Sequence, residues 1–337
     1  MKYRLLFLTQ KMSLGFGVAV VVHNLSLALR SLGIHVEVAC LEKDSSLDAE
    51  YPVHLVAASA AELDTLVAAS KIDYVIAHTS PFFELLPQLT GGCKRWVWEH
   101  GDPTPDLFPF DGAERKKIAG RKLYAVYPEV DQVVAISEFI RSDIAWPDAK
   151  IIYNGCDHVV PVPRLRPESG PIRVGTLMRL GLGESFYKGN QLFLDLAKHL
   201  SSSAVSVEFH LMGRGTLKDA KPFQEKGITV HLNASDEERS QYLADLDIFV
   251  SMSLWEGFNL PLLEAAISGT AAFALDTGAH PEVTPYVFSS VSEMAALITT
   301  LATNRNGQLA VMSNRNQRFA RDDYSWAQSA KALAVML

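Results

Sequence analysis

The feature that most constrains the fold is an alternation that runs through the chain twice: short, nearly continuous apolar runs, each followed by a turn and then by apolar residues at helical spacing. In the first half Tyr3–Thr9 is such a run, a Gly-containing loop follows it, and Val18, Val21, Val22, Leu25 and Leu29 then recur at helical spacing up to a stop at Gly33. Ile34–Leu41, Ile72–His78, Arg95–Glu99 and Gln132–Ile136 read as further strands. The second half repeats the theme at Ile172–Leu177, Val205–Met212, Ile228–Leu232, Asp247–Ser251 and Ala271–Leu275, and Ser235 followed by Glu238 has the spacing of a capping box that opens a helix. Strands apolar along their whole length and separated by helices imply parallel sheets covered on both faces.

The 337 residues are too many for one ordinary core and suit two lobes of roughly 160 residues each. The Pro-rich stretch VVPVPRLRPESGP, residues 159–171, is the best linker. The expected architecture is therefore α/β, with two doubly wound Rossmann-like domains facing each other across a cleft: 1–160, a linker at 161–171, 172–321, and a last segment at 322–337. Sheets of this kind take their ligands beyond the carboxyl ends of the strands, so the loops after strands are where chemistry is expected.

A net charge of -7, shared by both halves, argues against a nucleic-acid partner. No apolar run approaches the ~20 residues of a membrane span, and MKYRLLFLTQKM reads as a first strand rather than a leader, which fits a cytoplasmic location. Cys40, Cys93 and Cys156 are too scattered for a disulfide framework or a zinc site, and no Asp-x-Asp pair falls in a plausible metal-binding loop. The run ERKKIAGRKLY gathers Arg115, Lys116, Lys117, Arg121 and Lys122 in an otherwise acidic half. It reads as a solvated helix face, with peripheral contact to an anionic membrane surface as the alternative.

The most informative stretch is WEGFNLPLLEAAISG, residues 255–269, where Glu256 and Glu264 stand eight positions apart around a strand-to-helix turn. Pro261 suits the first turn of a helix. A helix starting there leaves the amides near Phe258 to Leu262 as an anion site supported by the helix dipole. Both carboxylates could then accept from sugar or ribose hydroxyls, or be acidic residues favoured by the same dipole.

On these residues the chain resembles the retaining GT-B glycosyltransferases of family 4: EGFNLPLLEAAISGT matches the family's Glu-x7-Glu arrangement. GFGVAVVVHNLSLALRSLGIHVEVAC resembles its first loop and helix, VVAISEFIRSDI and IIYNGCD the segment before the linker, and VGTLMRLGLGESFYKG the part that carries its phosphate-binding Arg and Lys. The resemblance implies a GT-B fold, a nucleotide-diphosphate-sugar as co-substrate, no cofactor or essential metal, and a glycan, glycolipid or small-molecule acceptor. Arg179 and Lys188 would neutralise the diphosphate, with LGLGESFY lengthening the interval between them. Glu264 would bind the ribose, and Glu256 the transferred sugar. Gly257, Phe258, Asn259 and Leu260 would line the donor, although Asn259 replaces the family's commoner Gly and its amide could reach the sugar or cap the helix. Gly15 and Gly17 would close on the diphosphate, His100 would meet the reacting sugar, and Leu232 and Asn233 would hold the base. The last segment would pack back on the N-terminal domain. The resemblance also suggests surface polysaccharide, glycolipid or natural-product assembly at the inner face of a membrane. Two rivals are an NAD-dependent oxidoreductase using the Gly15–Val20 loop, which leaves the second sheet and both Glu residues unexplained, and a non-catalytic sugar-binding module.

Overall fold

The computed structural model describes residues 3–45, 47–165, 170–181, 184–203, 205–304 and 307–337. They form two α/β units, each built on its own parallel sheet. Met1–Pro105, Asp111–His158 and Tyr324–Leu337 make the first unit; Asp106–Phe110 and Val159–Asp323 make the second. Residues 166–169 of the expected linker and 182–183 of the expected insertion lie outside the described residues.

The first sheet contains β1 (Arg4–Met12), β2 (His35–Lys43), β3 (Val53–Leu55), β4 (Tyr74–Ala77), β5 (Lys94–Glu99), β6 (Gln132–Ala135) and β7 (Lys150–Ile151) in the order β3-β2-β1-β4-β5-β6-β7. The second contains β8 (Ile172–Arg179), β9 (Val207–Arg214), β10 (Thr229–Leu232), β11 (Ile248–Ser251), β12 (Ala271–Leu275) and β13 (Val287–Phe288) in the order β10-β9-β8-β11-β12-β13. Neighbouring strands pair in parallel throughout. Leu5, Leu6, Phe7 and Leu8 of β1 are all buried, as a strand covered on both faces requires. The strand order reverses between β1 and β4 in one sheet and between β8 and β11 in the other. At such a switch point the connections leave toward opposite faces and open a crevice at the carboxyl ends.

The strong apolar runs all became strands. Three further strands, β3, β7 and β13, are edge or near-edge pieces of two or three residues, too short for a period to show. The helix Gly17–Ser31 ends just before Gly33, whose φ is 73°, and the helix Asp236–Asp245 opens with the Ser235/Glu238 capping box. Asp106–Phe110, inside the range assigned to the first domain, packs instead in the second unit, where Phe108 meets Phe186 and Tyr187 at ring-centroid distances of 6.4 and 6.0 Å. The last helix, Trp326–Met336, belongs to the first unit: Trp326 N donates to Asp157 Oδ1 (2.7 Å) and Cys156 N to the Tyr324 carbonyl (3.2 Å). Among the described residues no helix is long and apolar enough to cross a membrane.

Candidate active site

At the switch point of the second sheet the loop after β8 is stitched to the loop after β11. Leu254 N donates to the Tyr187 carbonyl (2.7 Å), and the Trp255 ring stands edge-on to Tyr187. Gly189 sits at φ 71°, where a Cβ would lie 1.9 Å from the Met252 carbonyl oxygen, so only glycine lets the two loops approach this closely. The contact fixes Lys188 beside Glu256. Its Nζ donates to Glu256 Oε1 at 2.8 Å, and Ser253 Oγ donates to the same oxygen at 2.7 Å. The Glu256 side chain is 9% exposed and that of Lys188 22%.

The loop after β12 supports Glu256 from behind. Ala279 N donates to the Glu256 carbonyl (2.9 Å), Thr277 Oγ1 donates to the Ser253 carbonyl (2.6 Å), and Gly278, at φ 57°, leaves no room for a Cβ against the Glu256 backbone. Backbone as well as side chain is thus held.

The helix Leu260–Ile267 begins directly after this loop, with Asn259 as its N-cap at φ 62°. Of the two roles open to the Asn259 amide, the structure realises the cap: Oδ1 accepts from Leu262 N (3.3 Å), and Nδ2 lies 2.8 Å from both Ser251 Oγ and His280 Nε2. His280 is fully buried, and its Nδ1 lies 2.8 Å from the Leu275 carbonyl. A carbonyl only accepts, so Nδ1 carries the proton and Nε2 is left to accept from Asn259. Burial lowers the His280 pKa, which keeps this arrangement neutral. The anion cradle is therefore narrower than the sequence suggested, because the Leu262 amide is bonded to Asn259 and Pro261 has none.

Glu264, one turn further on, is 1% exposed and forms an ion pair with Arg239 from the helix Asp236–Asp245. Burial lowers the Arg239 pKa, Asp236 opposes that shift, and Arg214 adds to it. Arg179 ends β8 and pairs in register with Arg214 at the end of β9. Gly213 approaches the Met178 carbonyl, where a Cβ would lie 2.1 Å away, so its size serves the sheet itself. Leu232 ends β10, and Asn233 returns to the turn after β9: its Nδ2 donates to the Gly215 carbonyl (3.0 Å) and Gly215 N donates to its Oδ1 (3.3 Å). Gly257 and Phe258 complete the Glu256 loop and Leu260 opens the helix after it, with Phe258 and Leu260 buried. The second unit therefore gathers Arg179, Lys188, Glu256 and Glu264 at one end of its sheet. Ser253, Arg239 and His280 join them without any motif to mark them.

The first unit carries its own cluster at the equivalent end. Gly15 lies between β1 and the helix Gly17–Ser31, which Gly17 opens, and a Cβ on Gly17 would meet nothing within 4 Å among the described residues. That space is open rather than filled by packing. His100 follows β5, half-buried, with Nε2 3.0 Å from Nδ1 of His78. Burial, with the nearby Lys122 charge second, lowers the His100 pKa to about 3.

Lys122 corrects one expectation. It is buried rather than displayed on a basic face, with Nζ 2.7 Å from both Glu99 Oε1 and Asp102 Oδ2. Burial opposes its charge, and the two carboxylates outweigh burial and hold its pKa above the ordinary lysine value. Tyr127 OH also donates to Glu99 Oε1 (2.7 Å). Lys122 is thus part of the floor under His100 and no part of a membrane-facing patch. Arg115, Lys116, Lys117 and Arg121 lie on the helix Gly112–Arg121, which has no buried residue; Arg115 and Lys117 pair with Asp111 and Glu114 on its own surface.

The model of glycosyl transferases group 1 matches residues 174–304, and that of glycosyltransferase family 4 matches residues 16–159. The chain belongs to the family 4 glycosyltransferases. Its fold is GT-B: it superposes on sucrose-phosphate synthase from Thermosynechococcus elongatus with a TM-score of 0.81 at 15% identity, covering 99% of this chain and 98% of that one. Against Anabaena HepE in complex with UDP-glucose the TM-score is 0.78 at 15% identity, with 99% and 98% covered. A curated relative, the MMP alpha-(1->4)-mannosyltransferase of Mycolicibacterium hassiacum, is 35% identical over 130 residues, which are 34% of this chain and 30% of the relative. That match spans under a third of the relative's length.

Proposed function

We propose that the chain is a retaining, metal-independent glycosyltransferase that moves a sugar from a nucleotide-diphosphate-sugar to an acceptor hydroxyl. The observation that carries the reading is the Lys188–Glu256 pair, a cation and a carboxylate 2.8 Å apart at the switch point of the second sheet, where such a sheet takes its ligand. Lys188 and Arg179 face the diphosphate, Glu264 accepts from the ribose hydroxyls, and Glu256 accepts from hydroxyls of the transferred sugar. Leu232 and Asn233 border the base, the Gly15–Gly17 turn leaves space for phosphate oxygens, and His100 hydrogen-bonds the reacting sugar.

In this mechanism the bond between the anomeric carbon and the phosphate oxygen breaks, and the diphosphate leaves with the electron pair. The acceptor oxygen bonds the anomeric carbon on the face the diphosphate vacates, so configuration is retained. The acceptor's proton passes to the departing phosphate oxygen. Lys188 and Arg179 stabilise the charge that grows on the diphosphate, a role preorganised cations perform without a divalent ion.

HepE is a structural neighbour crystallised with UDP-glucose, and the curated relative is named a mannosyltransferase, so UDP-sugars and nucleotide-activated mannose head the donor panel. The acceptor class, a glycan, glycolipid or small molecule of surface-polysaccharide or natural-product assembly at the cytoplasmic face of a membrane, follows the family. Thermal-shift screening finds the donor, since a ligand at 100 times its Kd adds about 2.7 kcal/mol of stability. The anomeric configuration of the product, read by NMR, then tests the mechanism. An inverted product refutes retention, and a panel that shows neither binding nor hydrolysis refutes the transferase reading.

A further inference from the structure

The carboxyl ends of β4 and β5 place two histidines against each other. His78 is 1% exposed; its ring stacks on Trp98 at a centroid distance of 5.4 Å and 22°, and meets Phe7 edge-on at 5.0 Å. Its Nδ1 lies 3.0 Å from His100 Nε2, and its Nε2 is buried with no hydrogen-bond partner among the described residues. Two imidazole nitrogens at that distance share one N–H and one lone pair.

Two neutral arrangements satisfy the contact. In the first, His78 carries its proton on Nδ1 and donates to His100 Nε2; its buried Nε2 is a bare lone pair, and His100 carries its own proton on Nδ1. In the second, His78 holds an N–H at Nε2 with no acceptor, and His100 donates from Nε2 and has a bare Nδ1. Among backbone groups an orphaned buried N–H is rarer than an under-satisfied acceptor, and we extend that preference to the imidazole, where either defect forfeits hydration. The first arrangement is therefore the stable one. A third, with either ring cationic, is opposed by burial, which lowers both pKa values, and by the Lys122 charge near His100.

We infer that His78 is a positioning residue that fixes His100 as the neutral Nδ1–H tautomer, so that His100 presents a hydrogen-bond donor, and no base, to an oxygen of the reacting sugar. The placement of the sugar rests on the function proposed above; the tautomer does not. A neutral donor suits that place, because an imidazolium would repel a sugar that gains oxocarbenium character as its leaving group departs. The acceptor's proton accordingly goes to the phosphate oxygen and never to His100.

Two substitutions separate the donor role of His78 from its packing role. His78→Asn sets an amide nitrogen where Nδ1 was and loses the stack on Trp98; His78→Phe keeps the stack and loses the donor. Long-range 1H–15N spectra of histidine-labelled protein should show Nδ1–H on both rings in the wild type and in His78→Asn on His100. In His78→Phe, His100 should relax to the mixed tautomers of an ordinary imidazole, with kcat/KM down about tenfold, the scale of one lost hydrogen bond. His78→Asn should transfer sugar at close to the wild-type rate. A bare Nδ1 on His100 in the wild type overturns the inference, and so does a His78→Phe protein with unchanged His100 spectra. A wild type that transfers no sugar refutes the proposed function alone, because the spectra are read on the unliganded protein.

Discussion

Replacing Lys188 by Met removes a cation from a carboxylate that has little water to fall back on. At 2.8 Å and an effective dielectric constant near 20 the bare attraction is about 6 kcal/mol. Desolvation of both groups cancels most of it, and the net value of a hydrogen bond to a charged group is about 1.5–3 kcal/mol. The Lys188 side chain is 22% exposed, which places the loss near the lower end, about 2 kcal/mol. For a unit of this size that lowers Tm by about 4–8 °C. Glu256→Gln and the double variant complete a cycle whose coupling should equal about 2 kcal/mol, measured by urea denaturation. Catalysis should suffer more than stability. If Lys188 faces the departing diphosphate, kcat at saturating donor falls on the order of 10² to 10³, as when one preorganised donor to a developing anion is removed. Additivity within about 0.5 kcal/mol would show that the pair is mere proximity, and a wild-type kcat in the folded Lys188→Met protein would remove this loop from the site.

Glu264→Ala should raise KM for the donor with little change in kcat, since ribose contacts are made equally in ground and transition states; a fall in kcat at unchanged KM contradicts the ribose role. Gly189→Ala should cost about 2–4 kcal/mol, from positive φ together with the clash on Met252, whereas Gly17→Ala should fold as the wild type yet slow transfer, and equal urea midpoints for the two would refute the contrast. His78, His100 and His280 all have folded pKa values below their unfolded ones. The unfolded chain therefore binds more protons below about pH 6.5, and stability complete above that pH should fall as pH drops toward the folded values; urea midpoints flat between pH 7.5 and pH 5 would contradict it. Transfer should survive EDTA, and a complete loss restored by magnesium or manganese would overturn the metal-free mechanism.

The sequence alone determined what local chemistry and one-dimensional period can specify. Continuous apolar runs such as Leu5–Leu8 can be satisfied only with both faces covered, which selects parallel strands before any coordinate is known. Ser235 and Glu238 announced a helix start because a capping box closes within four residues. Glu256 and Glu264 were legible because a loop and the helix after it keep fixed spacing. What period could not reach, tertiary structure decided. Lys188 and Glu256 are 68 positions apart and meet only because the order β8-β11 makes their strands neighbours. His280 orders Asn259 from 21 positions away, and Arg239 holds Glu264 from 25. Lys122 read as one more exposed cation in a basic run, yet two carboxylates from the end of β5 draw it into the interior. Burial and partner choice depend on which strands lie side by side, and a sequence states that order only through contacts between residues distant along the chain.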